Sequence, residues 1–166
     1  TQMASSSRQV EALQTALQHV KVEALTDALT GLANRRLLDE TLRRRVDERD
    51  ESAGLCLLMC DIDHFKRFND TWGHPVGDQV IRFIATVLSQ HALGDILAAR
   101  YGGEEFAVVF PRTHIAQASA IGETIRQAIG SKRLTRRSTG EVIGAVTISI
   151  GIAQHRRSET VADLIG

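Results

Sequence analysis

Hydrophobic positions recur along the chain with a period that changes from segment to segment. Near the N-terminus Val10, Leu13, Leu17 and Val20 fall three, four and three residues apart, the a/d seam of a helix that pairs with another helix. Two packings fit this segment: an amphipathic helix lying on its own domain, or a stalk arriving from an upstream module. The narrow seam and the polar flanks (Gln9, Glu11, Gln14, Gln18, Lys21) favour the stalk. Gly31 breaks the next stretch, a helix restarts and runs to about Glu48, and the charged run Arg43 to Glu51 reads as its solvated end. From Gly54 onward the period shortens. Leu55 to Cys60 is a continuous apolar run, the mark of a buried strand. Pro75 to about His91 predicts a helix with Val80, Ile81, Ile84, Val87 and Leu88 on one face. Ile96 to Tyr101 and Glu104 to Phe110 predict two strands joined by a two-residue hairpin turn, Gly102-Gly103. Ile115 to Ile129 predicts another helix, Lys132 to Glu141 a polar, partly basic solvated loop, and Val142 to Ala153 a closing strand. The order helix, strand, helix, hairpin, helix, strand predicts an α/β (α+β) sandwich, one sheet with helices packed on it.

Composition narrows the function classes. The 166 residues suit one domain with a short appendage, and 43% hydrophobic residues exclude bulk disorder. Twenty Lys+Arg balance 20 Asp+Glu, which argues against a broad basic surface for nucleic acid or anionic lipid and confines any such binding to a local patch. Cys56 and Cys60, four residues apart on one strand, would lie ~13 Å apart, too far for a disulfide, so a reduced, cytoplasmic setting is expected. No apolar run reaches the ~20 residues of a spanning helix, so this piece is expected to be soluble.

Two acidic clusters stand at predicted strand ends: Asp61-Ile62-Asp63 and Glu104-Glu105. Taken alone they are either solvated strand ends or carboxylates converging on a divalent cation. Two such charges ~4 Å apart repel by ~1 kcal/mol in water and ~4 kcal/mol in a partly screened site. Hard oxygen ligands with room for phosphate suit Mg²⁺. A calcium loop starting at Asp61 fails, because its sixth and twelfth positions are Lys66 and Trp72. Zinc spacing, a P-loop and a GxGxxG turn are all absent from the sequence, and the sequon Asn69-Asp70-Thr71 is a chance match in a cytosolic chain.

The word Gly102-Gly103-Glu104-Glu105-Phe106, with Arg100-Tyr101 before it, resembles the signature of the GGDEF family, the diguanylate cyclases. Three further motifs resemble that family in the right order. They are Asp27-x-Leu29-Thr30-x-Leu32-x-Asn34-Arg35, the stretch from Asp61 through Phe65-Lys66, Asn69-Asp70 and Gly73-His74 to Gly77-Asp78, and Thr147-Ile148-Ser149-Ile150-Gly151. The resemblance covers about Asp27 to the C-terminus. It implies a polymerase-palm/adenylyl-cyclase-like domain over 26–166 behind a helical stalk over 1–25, condensing two GTP into cyclic di-GMP and two pyrophosphates. Asp61, Glu104 and the Ile62 carbonyl are the implied ligands of Mg²⁺, with Mn²⁺ as a substitute. Gly102 and Gly103 form the turn that a nucleotide approaches, and Glu105 assists by accepting the hydroxyl proton or by stabilising developing charge. Asp63 is either structural or a supporting residue of the metal site. Phe65 and Lys66 are implied to meet phosphates through backbone N–H groups, His74 lies with the substrate contacts, and Asn69 and Asp78 recognise guanine. A carboxylate accepts from guanine N1–H and the 2-amino group, whereas adenine offers no donor at those two positions. An alternative role is a catalytically silent domain that binds GTP or cyclic di-GMP.

Each domain is implied to hold one GTP, so a homodimer with facing active sites is required, and the N-terminal heptads would bring the halves together under an upstream sensor. Nucleic acid is not an expected partner, and membrane attachment of the parent protein is left open. Two departures stand out. The family's inhibitory Arg-x-x-Asp falls on Leu93 and Ile96, and shifting by one to use Asp95 puts Ala92 in the arginine's place, so weak product feedback is expected there. The family's phosphate-contacting C-terminal helix is expected to lie beyond Gly166.

Overall fold

The computed structural model describes residues 2–48, 52–156 and 159–166. A first helix, α1 (Gln2–Leu25), leads into α2 (Arg35–Glu48). The globular part then runs β1 (Leu55–Ile62), α3 (Phe65–Trp72), α4 (His74–His91), β2 (Leu97–Arg100), β3 (Glu105–Pro111) and α5 (Ile115–Gly130). It ends with β4 (Leu134–Thr135), β5 (Val142–Gly144), β6 (Ile148–Gln154) and α6 (Val161–Ile165). The main sheet has the order β2-β3-β1-β6, with every neighbouring pair antiparallel. It is a split β-α-β-β-α-β arrangement in which β3 inserts between two strands linked by a helix.

Alternation along the strands divides the core into two. Cys56, Leu58, Cys60 and Ile62 of β1 and Phe106, Val108 and Phe110 of β3 face α4 and α5. Leu55, Leu57, Ala107 and Val109 face α2 and α6, where Leu38, Leu42 and Leu164 cover them. The sheet is therefore buried on both faces, which explains why β1 lacks a polar alternation until Asp61. Cys56 and Cys60 are both free and buried on one face. Burial pushes the Cys56 thiol up to about 11; burial, followed by the charge of Asp61, pushes Cys60 up to about 12.

The helix α1 buries none of its residues, and Leu13 and Leu17 are 65% and 68% exposed. It does not lie on its own domain, so its apolar seam is left open to another surface. Among the described residues no helix is long and apolar enough to cross a membrane.

Three local expectations change. The closing strand expected over 142–153 is two strands in different sheets: β5 pairs with β4 across the supposed loop, β6 with β1, and Gly144 turns the chain between them at φ +101°. The helix α3 was not anticipated. Its eight residues fit inside one window of periodicity, and it is held by Phe65 and Phe68, whose rings stack at 6.3 Å. The signature turn is wider than two residues, since Arg100 pairs with Phe106 and the chain from Tyr101 to Glu105 closes the hairpin. The charged run is exposed at Arg43, Arg44, Asp47 and Glu48, half-buried at Arg45, and 49–51 lie outside the described residues.

Candidate active site

Antiparallel register sets the site. Asp61, next to last in β1, is the direct cross-strand partner of Glu105 at the start of β3 and of Ser149 on the other side. Because Cys60 and Ile62 turn into the α4/α5 core, Asp61 projects to the opposite side of the sheet, as does Glu105. The Ile62 N–H donates to the Glu104 carbonyl at 3.2 Å, which brings Glu104 beside them. Like charges facing each other across strands are destabilising. The Glu104 carboxyl accordingly sits above its ordinary range, raised by burial first, then by a hydrogen bond with Asp61 and by the charges of Asp61 and Glu105.

Asp63 behaves differently. Its oxygens accept from Thr147 Oγ1 at 2.7 Å and Ser149 Oγ at 2.5 Å, and its N–H donates to the Thr147 carbonyl. Those hydroxyls hold its carboxyl below the ordinary range, Ser149 contributing most. Asp63 clamps the end of β1 to the Thr-x-Ser of β6.

The glycine turn is fixed from two sides. The N–H groups of Tyr101 and Gly102 both donate to the Glu105 carbonyl, at 2.8 and 3.2 Å. A Cβ on Gly102 would stand 2.8 Å from Glu105 Oε2, whereas one on Gly103 would meet nothing within 4 Å. A side chain at 102 would push aside the far end of the Glu105 side chain, and the surface at Gly103 is open. Arg100 reaches under the turn, donating from Nε to the Gly102 carbonyl at 3.1 Å and from Nη2 to the Gly103 carbonyl at 2.8 Å. Its Nη1 donates to both oxygens of Asp27, at 3.2 and 3.3 Å. Asp27 also accepts from the N–H and hydroxyl of Thr30. Burial tends to raise its carboxyl, but the Thr30 and Arg100 contacts outweigh it and hold the group low. Asn34 fastens the base of α1 by donating from Nδ2 to the Ala24 carbonyl, and caps α2 by accepting from the Leu37 N–H. Arg35 lies over the Tyr101 ring at 4.4 Å. Sequence reading picked out these motifs but not their union: Asp27 and Arg100 are 73 residues apart, beyond any local periodicity.

The residues expected to meet the nucleotide lie around α3 and the start of α4. His64 adopts φ +55° and aims α3 so that its first N–H groups, including those of Phe65 and Lys66, stand just after Ile62. The Phe65 side chain is buried while Lys66 and His74 are exposed. Asn69 Oδ1 is buried without a hydrogen-bond partner, and a Cβ on Gly77 would fall 1.9 Å from it. Gly77 therefore exists to admit Asn69 against α4, next to half-buried Asp78. Asp78 lies beyond the first turn of α4. At the expected inhibitory position Leu93 is exposed and Ile96 half-buried, and Asp95 is engaged by Arg45 and Arg112.

No cluster of three or more His, Cys, Asp or Glu side chains arranged to hold a metal occurs among the described residues. The expected ligands Asp61 and Glu104 lie together at the strand ends, and carboxylate oxygens are donors that suit a small hard cation.

The sequence model of the family described as "Diguanylate cyclase, GGDEF domain" matches residues 24–166. The chain belongs to the GGDEF family. It is 34% identical over 165 residues to the diguanylate cyclase VdcA of Vibrio cholerae, covering 99% of this chain and 48% of that protein. It is 40% identical over 150 residues to the response regulator PleD of Caulobacter vibrioides, covering 88% of this chain and 32% of that one. The solved coiled coil and GGDEF domain of DgcB from Caulobacter crescentus, in complex with c-di-GMP, superposes with a TM-score of 0.93 at 44% identity, over 99% of this chain and 86% of that one. The chain spans half or less of the length of these curated relatives. In this GGDEF domain the mixed fold with an antiparallel central sheet and an N-terminal helix agrees with the sequence-based expectation.

Two outcomes follow. Asp27→Asn is expected to cost about 1–2 kcal/mol at pH 7 in urea unfolding, the scale of charge-assisted hydrogen bonds. Because the folded-state carboxyl of Asp27 is lowered, that difference should hold above pH ~4 and vanish as the pH falls below it. Glu104→Gln should do the opposite and stabilise the domain near neutrality. The raised carboxyl of Glu104 means the gain appears as pH rises above ~4.5 and is absent below it.

Proposed function

We propose that this chain is the catalytic part of a diguanylate cyclase, a stalk over 1–25 followed by a catalytic domain over 26–166, which joins two GTP into cyclic di-GMP with release of two pyrophosphates. The observation that carries the proposal is the convergence of Asp61, Glu104 and Glu105 on one strand end beneath a glycine turn open at Gly103. Its relatives named diguanylate cyclases, and the DgcB structure solved with c-di-GMP, support it.

The divalent cation would be Mg²⁺, with Mn²⁺ as a substitute; Asp61, Glu104 and the Ile62 carbonyl would hold it, and it would supply charge to neutralise the triphosphate and make the α-phosphorus electrophilic. The free N–H groups of Phe65 and Lys66 at the start of α3 meet phosphate oxygens, as helix N-termini do. Asn69 and Asp78 take the guanine edge, which gives the unpartnered Oδ1 of Asn69 its donor. His74, exposed at the start of α4, lies within reach of the same nucleotide. Glu105, the cross-strand partner of Asp61, assists by accepting the proton of an attacking 3′-hydroxyl or by stabilising the charge that develops there. Each 3′-hydroxyl attacks the α-phosphorus of the partner's GTP, two P–O bonds form, and two pyrophosphates leave.

One domain supplies half of this geometry. A homodimer through the open seam of α1, with facing sites, completes it, and an upstream sensor acts by arranging that stalk. The two free thiols and the nucleotide substrate support a cytoplasmic location.

Incubation with GTP and Mg²⁺, followed by chromatography, should yield cyclic di-GMP at a rate per mole that rises from nanomolar to micromolar protein. Glu104→Gln should lower it about 100-fold or more. No cyclic dinucleotide, or undiminished product from the variant, contradicts the assignment.

A further inference from the structure

The positive charge of this formally neutral chain is not evenly spread. A groove of about 400 Å³ lies between α4 and the β4/β5 hairpin, lined by Arg82, Phe83 and Thr86 on one wall and by Lys132, Arg133 and Arg137 on the other. Four cationic side chains and no carboxylate line it. None of the four takes part in an ion pair among the described residues, although Asp78 and Glu141 are near in sequence.

The basic wall is a docked element. Leu134 is buried in the main core, and β4 pairs with β5. The Gln79 side chain bridges from α4, donating from Nε2 to the Thr135 carbonyl at 2.8 Å and accepting from the Arg137 N–H at 3.4 Å. The Arg136 N–H donates to the Glu141 carbonyl at 2.7 Å. The cations are therefore held together at fixed backbone positions, and their mutual repulsion is left for a ligand to relieve. Half-buried Phe83 adds an aromatic surface between them, and Thr86 and Thr135 add hydroxyls.

We propose that this groove is a second binding site, for a phosphate-bearing nucleotide. Its phosphates lie among Arg82, Lys132, Arg133 and Arg137, and its base lies against Phe83. Arginine forks suit phosphate oxygens, and stacking on an aromatic side chain is available to any base. The cations act directly on the phosphates, so binding does not depend on Mg²⁺ or on the carboxylates of the candidate active site. The site therefore stands or falls separately from the cyclase reading.

The test is an amide NMR titration of the 166-residue chain with ATP in EDTA, where divalent-dependent binding at the strand ends is suppressed. Saturable shifts are expected at Gln79, Thr86, Thr135 and Arg137, in wild type and in Glu104→Ala alike, weakening steeply with added salt. Arg82→Glu/Arg133→Glu should lower the affinity at least about tenfold, the loss of one or two charge-assisted contacts. Phe83→Leu, which keeps most of the buried volume, should lower ATP affinity about fivefold and leave inorganic tripolyphosphate unchanged. Shifts confined to residues 61–78 and 102–105, an unaffected double variant, or tripolyphosphate binding as tightly as ATP would overturn the proposal.

Discussion

Three carboxylates forced together at the end of one antiparallel strand pair are the constraint on which the rest of the site depends. The register that sets Asp61 opposite Glu105, with Glu104 beside them, follows from burial of both sheet faces. A slip of one residue would turn Cys60 and Ile62 out of the core. Hydrophobic packing thus enforces an electrostatic arrangement that is unfavourable by itself, and the raised Glu104 carboxyl records it.

Around that point, other contacts keep the geometry from relaxing. Asp63 ties the strand end to β6 through two hydroxyls, so the two aspartates of one tripeptide have separate tasks. Arg100 holds the carbonyls of Gly102 and Gly103 and, with the same guanidinium, Asp27. Asp27 lies two residues beyond α1, and Asn34 fastens the last turn of that helix. A reorientation of α1 therefore acts on the very contacts that hold the turn.

Much of this was legible in the sequence. The continuous apolar run of β1 announced a doubly buried strand, and the periodicity of α4 placed its inward face correctly. The glycine word and the acidic clusters marked the site. What escaped were features without a local period. The helix α3 is too short to show one, and the division of the last strand into β5 and β6 is marked only by the turn at Gly144. The Asp27–Arg100 contact joins residues 73 apart. The role of Gly77 is a relation to Asn69, since only the absent Cβ lets that amide approach α4. The basic residues of 132–137 read as a solvated loop because nothing in their composition shows that Gln79 and Leu134 hold them in place.

The central claim is that the strand ends form a divalent-cation site shared with a nucleoside triphosphate. The most direct measurement is paramagnetic broadening of amide resonances by substoichiometric Mn²⁺ in the presence of a non-hydrolysable GTP analogue. Broadening should centre on Asp61, Ile62 and Glu104, reach the start of α3, and disappear in Asp61→Asn. Broadening centred elsewhere, or unchanged in that variant, would contradict the account.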